Sequence, residues 1–579
     1  MVTSINSFPN TDSSPYTTRG YQASSTVSFP KRFSEVITIM ADVTGFNLKK
    51  VEEGIWPNRL LRIKDMTSYE VRMEGSDAYY RKKDKNPEYN IVSYTWGRYT
   101  NDSGDAISIK GIDWSVPKIN PKEAFSSDKF KNLLKNEVGA HVEYVWVDIA
   151  CIDQNREREN STVRNQIGIQ AAIFKRAKAS FIWLYQQGKK KEGPRLKDCV
   201  QALADKATSH EHPSELLGQA EKKAARAKAR QMDDLIFHLF EDHWFSSLWT
   251  LQEAFLRKDA TILSRYGKRT SLLWGGKETE LRLSVLLDIC QSYLESEVPN
   301  QLIVQKMEQS GLRWLIAENP LVLLRAACHR DQKIPTDRIQ GIQQIFGIDV
   351  SSTAEINLRD LREVEMMFSF CINERSPAIA QAFVHQEEHQ PFWQAYLGAY
   401  TKPRMFYDRS GNYLGSKMGR EMTMLVPADF LHAQEIECSK RASCTREKWE
   451  MRWKGYSLPF DTLFSYWKQH ESKRIPPADY YPTLEPSPYH NSFTCSVYLD
   501  LKIITNEPLL IASNLCKSHQ GPVEVLILGK IQAKPRSKQV AWIGLLVKQG
   551  RQSNMRDRIG FCTWKHDLEG ARQSSYLLG

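Results

Sequence analysis

The segment VEYVWVDIACIDQ, residues Val142–Gln154, decides the fold class of this chain. Its first half is apolar, β-branched and aromatic, which predicts a strand that is buried on both faces. Its polar second half, which starts at Asp148, is expected at the carboxyl edge of the sheet. Two comparable segments lie on either side of it, YNIVSYTWG at Tyr89–Gly97 and SFIWLY at Ser180–Tyr185.

The residues between these three predicted strands have helical spacing. The apolar positions that carry this spacing are Phe130, Leu133, Leu134 and Val138 in the first connection, and Ile167, Ala171, Phe174 and Ala177 in the second. Strands that alternate with helices predict an α/β fold with a mostly parallel sheet. Ligands of such sheets bind beyond the carboxyl ends of the strands. NRLLRI at Asn58–Ile63 predicts one further short strand.

The rest of the chain changes character twice. Residues 186–231 form a polar insertion that we interpret as a loop and a solvated basic helix. Residues 280–375 keep a helical period, whereas apolar and polar residues alternate from Phe493 to Ile503. Further strands are predicted at Val523–Leu528, Val540–Val547 and Arg558–Trp564, so the last part is expected to be an antiparallel module. The predicted organisation is a disordered tail at 1–32, an α/β domain at 33–275, a helical region at 276–378 and a β-rich C-terminal module at 379–579.

Composition narrows the class of protein. The 579 residues carry a net charge of +11, and this excess is spread along the chain, which argues against a nucleic-acid partner. The mean hydropathy is −0.49, and the apolar runs are too short for a membrane span. The ten cysteines form no CxxC pair, and the start of the chain does not resemble a secretory signal. We therefore expect a cytoplasmic protein with reduced thiols.

Glu253 is the most informative candidate residue. In the predicted helix of LWTLQE it shares a face with Trp249 and Leu256, at i, i+4 and i+7. A carboxylate on an apolar face is costly unless it is paired or used, and burial would raise its pKa. A surface ion pair between Glu253 and Arg257 explains the spacing equally well.

Other candidate residues lie at the predicted strand ends. Asp148 is expected either to face a ligand or to serve a turn, and for Asp153 the turn is favoured. Ser93, Tyr94 and Trp96 are candidates for a pocket rim. Cys151 is interpreted as a buried residue rather than a nucleophile, because no histidine accompanies it.

One metal pattern occurs, HQEEH at His385–His389, which fits the HxxEH of inverted zinc peptidases. Pro391 closes the segment and no helix with a third ligand is evident, so a solvated helix end is favoured. His432, Cys438 and Cys444 have no recognised ligand spacing. No metal site is predicted, and no nucleotide-binding glycine loop is present.

Read together, five ordered blocks resemble the heterokaryon incompatibility (HET) domain family of filamentous fungi. The blocks are VSYTWG at 92–97, VWVDIACIDQ at 145–154, QI at 166–167 with the Ile-Phe and Ala at 173, 174 and 177, FIWL at 181–184, and LWTLQE at 248–253. NRLLRI and TDRIQGIQQIFGI at Thr336–Ile348 resemble flanking blocks of the same family. The last 200 residues are not covered by the resemblance.

HET domains in turn resemble TIR domains, which have an open, mostly parallel five-stranded sheet with helices on both faces. SLWTLQE at Ser247–Glu253 is similar to the TIR pattern SxWCxxE, in which the final Glu is the catalytic residue of the NAD-cleaving members. Thr250 stands where that pattern has Cys, and the insertion before Trp244 departs from compact TIR domains. The resemblance thus implies a TIR-like fold and Glu253 as the catalytic residue.

The resemblance also implies a function. It predicts non-self recognition or defence in which NAD is the substrate, no further cofactor is needed, and cleavage to nicotinamide and an ADP-ribose product triggers growth arrest or programmed cell death. The implied substrate-binding residues are Ser93, Tyr94, Trp96, Asp148 and Trp249. TIR-type enzymes act as oligomers, so a homo-oligomer is expected, with the C-terminal module as the site for an unknown protein trigger. The alternative is a non-enzymatic module that signals by homotypic assembly.

Overall fold

The computed structural model describes residues 55–95, 100–122, 125–154, 168–185, 194–208, 218–294, 296, 299–315, 322–332, 334–346, 348, 360–375, 381, 426–428, 435–442, 447–463, 465, 495–499, 522–532, 540–550, 555–564 and 572–578. Its first nine strands are β1 (Arg59–Arg62), β2 (Thr67–Glu70), β3 (Arg72–Glu74), β4 (Asp77–Tyr79), β5 (Tyr89–Ser93), β6 (Thr100–Asp105), β7 (Tyr144–Trp146), β8 (Ser180–Trp183) and β9 (Thr261–Leu263). The predicted tail at 1–32 lies outside the described residues.

Six of these strands form one mostly parallel sheet. The spatial order is β2-β1-β7-β5-β8-β9. The strands β7, β5, β8 and β9 pair in parallel, whereas β1 pairs antiparallel with both β2 and β7. All residues of β5, β7 and β8 are buried, which confirms the three strands expected from apolar runs. The parallel strands follow the order 2-1-3-4, so the direction of winding reverses between β5 and β8.

Helices connect the parallel strands. The first six are α1 (Ser127–Leu133, extended by one π-helical turn at Leu134–Val138), α2 (Asp148–Cys151), α3 (Gln170–Arg176), α4 (Leu196–Thr208), α5 (Gln219–Phe240) and α6 (Leu248–Leu256), with a 3₁₀ turn at His243–Phe245 before α6. The four apolar positions predicted for α1 are all buried. Ser126 caps α1 by accepting a hydrogen bond from the Lys129 amide. Asp148 begins a helix rather than extending the preceding strand.

The insertion at 186–231 differs from its prediction in one half. The first half of α5 is exposed, as expected of a solvated basic helix. Helix α4, however, buries Leu196, Cys199, Val200 and Leu203 in the hydrophobic core. The buried helix α4 was not predicted because its apolar stripe is short. It lies between polar segments that dominate the composition of residues 186–231.

In the described residues a hairpin and six helices follow; the helical period of residues 280–375 predicts the helices, whereas the hairpin was not predicted. They are β10 (Ser271–Trp274), β11 (Lys277–Glu280), α7 (Leu283–Leu294), α8 (Gln301–Gln309), α9 (Leu312–Leu315), α10 (Val322–His329), α11 (Asp337–Gln340) and α12 (Leu361–Arg375), with a 3₁₀ turn at Gln343–Phe346. The helices share one hydrophobic cluster with α4, α5 and α6. Leu526, Leu528, Leu545 and Val547 of the C-terminal strands join the same cluster.

The C-terminal module is β-rich, as the alternating pattern predicts. Its strands are β12 (Val426–Ala428), β13 (Glu435–Ala442), β14 (Glu447–Pro459), β15 (Cys495–Leu499), β16 (Val523–Gln532), β17 (Val540–Gln549), β18 (Met555–Trp564) and β19 (Arg572–Leu578). All pairings are antiparallel except a short parallel one between β18 and β19. Because β14 also pairs with β16, five strands form a closed ring of pairings. In the described part of the chain, no helix is long and apolar enough to cross a membrane.

Candidate functional site

The candidate site begins at Ser93, the last residue of β5. Ser93 is buried, and its Oγ accepts a 2.6 Å hydrogen bond from Nε1 of Trp244. Trp244 lies in the 3₁₀ turn that leads into α6 and is itself fully buried. The contact ties the end of the first parallel strand to the helix that carries Glu253. This is the edge at which ligands bind in a sheet of this order.

Glu253 directs its carboxyl group toward this strand end. Its side chain is half-buried, and its Oε2 is buried with no hydrogen-bond partner among the described residues. The net pKa of Glu253 is raised from 4.5 to about 8; desolvation is the largest cause of the rise, and the charge of Asp148 acts in the same direction. The neighbouring Ser93 hydroxyl and the charge of Arg330 lower it. The carboxyl group therefore titrates near neutral pH, which is typical of functional sites.

Asp148 supplies a second carboxyl group at the same edge. Its Oδ1 accepts hydrogen bonds of 2.8 Å from the Tyr94 hydroxyl and of 2.8 Å from the Ile149 amide. Burial and then the charge of Asp148 raise the pKa of Tyr94 well above 10, so Tyr94 stays a neutral donor. The Ile149 bond is the turn chemistry that sequence analysis left as an alternative, but the position of Asp148 beside Tyr94 and Glu253 also fits a ligand-facing role.

Aromatic rings form one wall beside these carboxyl groups. The ring centroid of Tyr94 lies 6.3 Å from that of Trp183 at the end of β8 and 6.0 Å from that of Phe125. Phe125 and Trp183 are 4.5 Å apart. Nε1 of Trp183 is buried, and no described residue forms a hydrogen bond with it. The winding of the sheet reverses between β5 and β8. The ends of these two strands therefore bring Ser93, Tyr94 and Trp183 together beside the two carboxyl groups.

Comparison with known protein families finds a match, and it covers the candidate site described above. Residues 89–253 match the family model described as heterokaryon incompatibility protein (HET). The chain contains a HET domain. The match begins with β5 and ends at Glu253, so it holds Ser93, Tyr94, Asp148 and Glu253. No curated protein and no solved structure matches the chain significantly.

Arg330 lies outside the HET match and nevertheless contacts the site. Its Nη1 donates to the Trp244 and Ser247 carbonyl oxygens at 3.0 and 2.8 Å and to Thr250 Oγ1 at 2.8 Å. Its Nη2 donates to the Ser310 carbonyl oxygen. Burial lowers the pKa of Arg330 to about 9, against the opposing charge of Glu253. This buried cation fixes the start of α6 and thereby the position of Glu253.

Two further contacts join the HET domain to the helical region. Gln344 Oε1 accepts hydrogen bonds from the Ala171 amide at 2.9 Å and from Gln252 Nε2 at 3.2 Å. The backbone of Asp331 pairs with that of Ser246 and Leu248. Gln344 belongs to the TDRIQGIQQIFGI block, so the structure gives this flanking block a physical role, which is to hold α3 and α6.

Thr250, which stands where the TIR pattern has Cys, is structural. Its Oγ1 lies 2.6 Å from the Trp244 carbonyl oxygen and 2.9 Å from that of Ser247, and it accepts from Arg330. The hydroxyl thus completes the turn before α6.

The face of α6 that holds Glu253 differs from its prediction. The buried residues of α6 are Leu248, Thr250, Leu251, Gln252 and Ala254, whereas Trp249, Glu253 and Leu256 are only half-buried. The spacing was correct, but the stripe is only partly covered: Leu256 packs against the hydrophobic core, whereas Glu253 borders the site. The predicted alternative, a Glu253–Arg257 ion pair, is wrong. Arg257 is buried and pairs with Asp259 at 2.8 Å.

The remaining candidates are distributed as follows. Trp249 is half-buried on the stripe of Glu253, and Asp153 is half-buried beyond α2. Cys151 is buried, and desolvation raises its pKa to about 12, in keeping with a structural thiol. Trp96, His385–His389, His432 and Cys444 lie outside the described residues, as does the side chain of Cys438. Within the described residues, no three His, Cys, Asp or Glu side chains are placed to share a metal ion.

Sequence reasoning missed Arg330, Trp244 and Gln344. For Trp244 a signal existed, because the tryptophan precedes LWTLQE directly. For Gln344 the only signal was its place in the flanking block TDRIQGIQQIFGI, and for Arg330 there was none; their partners lie about 92 or more and 80 residues away.

Proposed function

We infer that the HET domain gives this protein a role in heterokaryon incompatibility, which is related to cell death. We propose that this domain cleaves NAD to nicotinamide and ADP-ribose, with Glu253 as the catalytic carboxylate, and that cleavage triggers growth arrest or programmed cell death. One observation carries the proposal. Glu253 holds a buried carboxyl oxygen, without a partner in the part of the chain that the structure describes, beside the strand ends where this type of sheet binds ligands.

The chemistry of NAD suits a single carboxylate. In the substrate, the bond between ribose C1′ and the nicotinamide nitrogen breaks, and its electron pair passes to the cationic ring. Nicotinamide therefore leaves as a neutral molecule, and no general acid is required, in contrast to ordinary glycoside hydrolysis. Positive charge develops on the ribose, and a carboxylate close to it stabilises the transition state. Water then adds to C1′ and loses a proton, which gives ADP-ribose.

The titration of Glu253 fits this role. In the free protein its pKa of about 8 leaves most of the group neutral at pH 7. A bound pyridinium cation would favour the ionised form and lower this pKa. Glu253 is then ionised when the pyridinium of NAD is bound beside it. In the empty site the neutral carboxyl group avoids a buried, unpaired charge.

Asp148, Tyr94 and Ser93 support binding in this proposal. Asp148 is held by Tyr94, and a carboxylate at this strand end suits ribose hydroxyls. Ser93 is fixed by Trp244, so its hydroxyl is oriented within the site. Trp249 remains a predicted contact to a substrate ring, and Trp96 remains a predicted residue of the pocket rim.

A direct assay tests the proposal. Purified protein is incubated with NAD at low and high protein concentration, and nicotinamide and ADP-ribose are followed by chromatography. We expect release that rises with protein concentration, because assembly is expected to activate the domain. No nicotinamide release in either condition would contradict the proposal.

The competing function is a module that signals by assembly without catalysis. One observation favours it: hydrogen bonds from Arg330 and Trp244 hold the turn before α6 in place. A carboxyl group on a helix that is held in this way can have a purely structural role. Assembly and signalling that persist unchanged in Glu253→Gln would support the module and reject the enzyme.

A further inference from the structure

Two cationic and two tyrosine side chains cluster just beyond the carboxyl ends of β8 and β9. The members of this cation–tyrosine cluster are Lys129, Tyr185, Arg265 and Tyr266. The Arg265 guanidinium carbon lies 4.8 Å from the ring centroid of Tyr185 and 5.7 Å from that of Tyr266. Lys129 Nζ lies 5.7 and 6.0 Å from the same two centroids. Both cations thus share the same pair of rings.

Neither cation has a carboxylate partner in the part of the chain that the structure describes. The guanidinium of Arg265 donates to the Tyr185 hydroxyl at 3.0 Å, and its Nε is buried with no hydrogen-bond partner. The neighbouring cations in the same turn behave differently, because Lys268 and Arg269 both pair with Glu137. Two positive charges therefore lie against the same pair of rings with no carboxylate among the described residues to neutralise them, and a bound anion would supply the missing negative charge.

The cluster is built into the fold. Gly267 has a φ of +72°, and a Cβ there would lie 2.8 Å from Leu133 Cδ1. Glycine thus lets the turn after β9 pack closely against α1, the helix that carries Lys129. Tyr185 is buried and contacts Phe125 edge-on, with 6.5 Å between the ring centroids. Tyr266, in contrast, is 69% exposed.

The aromatic wall connects this cluster to the candidate site. Phe125 contacts Tyr185 on one side and both Trp183 and Tyr94 on the other. Tyr94 in turn binds Asp148. Both places lie at the carboxyl edge of the sheet, along the ends of β5, β8 and β9.

We propose that the cation–tyrosine cluster is a subsite for the diphosphate of a nucleotide ligand. Arg265 and Lys129 bind the phosphate oxygens, and the exposed ring of Tyr266 packs against the attached nucleoside. The inference deepens the proposed function and rests on it for the identity of the substrate, since NAD carries such a diphosphate. It requires no contact between the cluster and Glu253.

Equilibrium binding of ADP, adenosine and inorganic phosphate, measured by titration calorimetry, tests the subsite. We expect ADP to bind the wild type more tightly than either of the other two. Arg265→Gln and Lys129→Gln should each weaken ADP binding about tenfold, which equals ~1.4 kcal/mol. Lys268→Gln is the matched control, because it removes a cation of the same turn that already has a carboxylate partner, and it should leave ADP binding unchanged.

The outcomes separate the subsite from the proposed reaction. Adenosine binding as tightly as ADP, phosphate binding as tightly as ADP, or ADP binding that is equal in all variants would each overturn the subsite. If ADP binds through Arg265 but NAD is not cleaved, the subsite stands and the NAD reaction fails. If NAD is cleaved and Arg265→Gln leaves KM unchanged, the subsite alone fails. Arg265→Lys should retain part of the affinity, which distinguishes lost charge from a misfolded variant.

Discussion

Replacing Glu253 by glutamine is expected to stabilise the protein at pH 8 and to change its stability little at pH 5. The neutral amide keeps the shape of the side chain and removes the cost of ionising a desolvated carboxyl group. Because the folded-state pKa is raised, the stability that the neutral carboxyl provides is complete below 4.5 and is lost as the pH rises toward about 8. The wild type should therefore weaken over this range, whereas Glu253→Gln should not.

The magnitude follows from the pKa. A shift from 4.5 to about 8 corresponds to an upper limit of about 5 kcal/mol at 1.36 kcal/mol per unit. Since the side chain is half-buried and only Oε2 is shielded from solvent, we halve this figure to about 2 kcal/mol at pH 8. At pH 5 only the first part of the titration has occurred, and the difference should stay below about 0.5 kcal/mol.

Urea unfolding at both pH values measures this difference. A chain with more than one folding unit has no single free energy of unfolding. The quantity compared between variant and wild type is therefore the urea midpoint of the transition in which α6 unfolds. Glu278→Gln is the matched control, because Glu278 is exposed on the β10–β11 hairpin, and it should show no such pH dependence. A Glu253→Gln variant that is less stable than wild type at pH 8, or equally shifted at both pH values, would refute the reasoning.

Three further predictions concern the same region. The kcat/KM for NAD cleavage should rise with pH up to about 8, the pKa of Glu253 in the free protein, while kcat should level off at lower pH because the pyridinium lowers that pKa; a flat kcat/KM between pH 6 and 8 would contradict this. Arg330→Met should lower the urea midpoint by the equivalent of about 3 kcal/mol, because it leaves buried carbonyl oxygens and Thr250 without their donor. Arg330→Lys should restore little, since one ammonium group cannot reach both the turn before α6 and the Ser310 carbonyl oxygen. A midpoint like that of the wild type would show that Arg330 does not hold α6. Cys151 should resist alkylation in the folded protein at pH 8, because burial raises its pKa to about 12, and mass spectrometry after iodoacetamide treatment checks this; rapid labelling of Cys151 without denaturant would reveal an exposed thiolate.

The parallel sheet was predictable because its strands are buried on both faces. YNIV, YVW and SFIW have almost no polar residue, so short apolar runs identify them without any partner being known. Strand β15 was predictable for the opposite reason, since residues 493–503 alternate with a period of two, whereas β12, β13, β14 and β19 were not predicted. The TIR-like assignment remains a prediction, and the observed sheet has six strands with an antiparallel edge rather than five.

The setting of Glu253 was only partly predictable. Its helical spacing was readable, but periodicity cannot tell a stripe that faces the core from one that borders a site. Nor can it show that Arg257 turns to Asp259 and to the carbonyl oxygens of Phe174 and Ala177. Arg330 reaches Thr250 from 80 residues away, and contacts of that kind are set by the packing of the helical region.

Nicotinamide release by Glu253→Gln tests the central claim most directly. Wild type, Glu253→Gln and Glu278→Gln are incubated with NAD at the same high protein concentration, and initial rates are compared per molecule. The account predicts release by wild type and Glu278→Gln, and a loss of about 100-fold or more in Glu253→Gln, the scale of removing one electrostatic stabiliser of a transition state. Equal release by Glu253→Gln and wild type would contradict the assignment of Glu253 as the catalytic carboxylate.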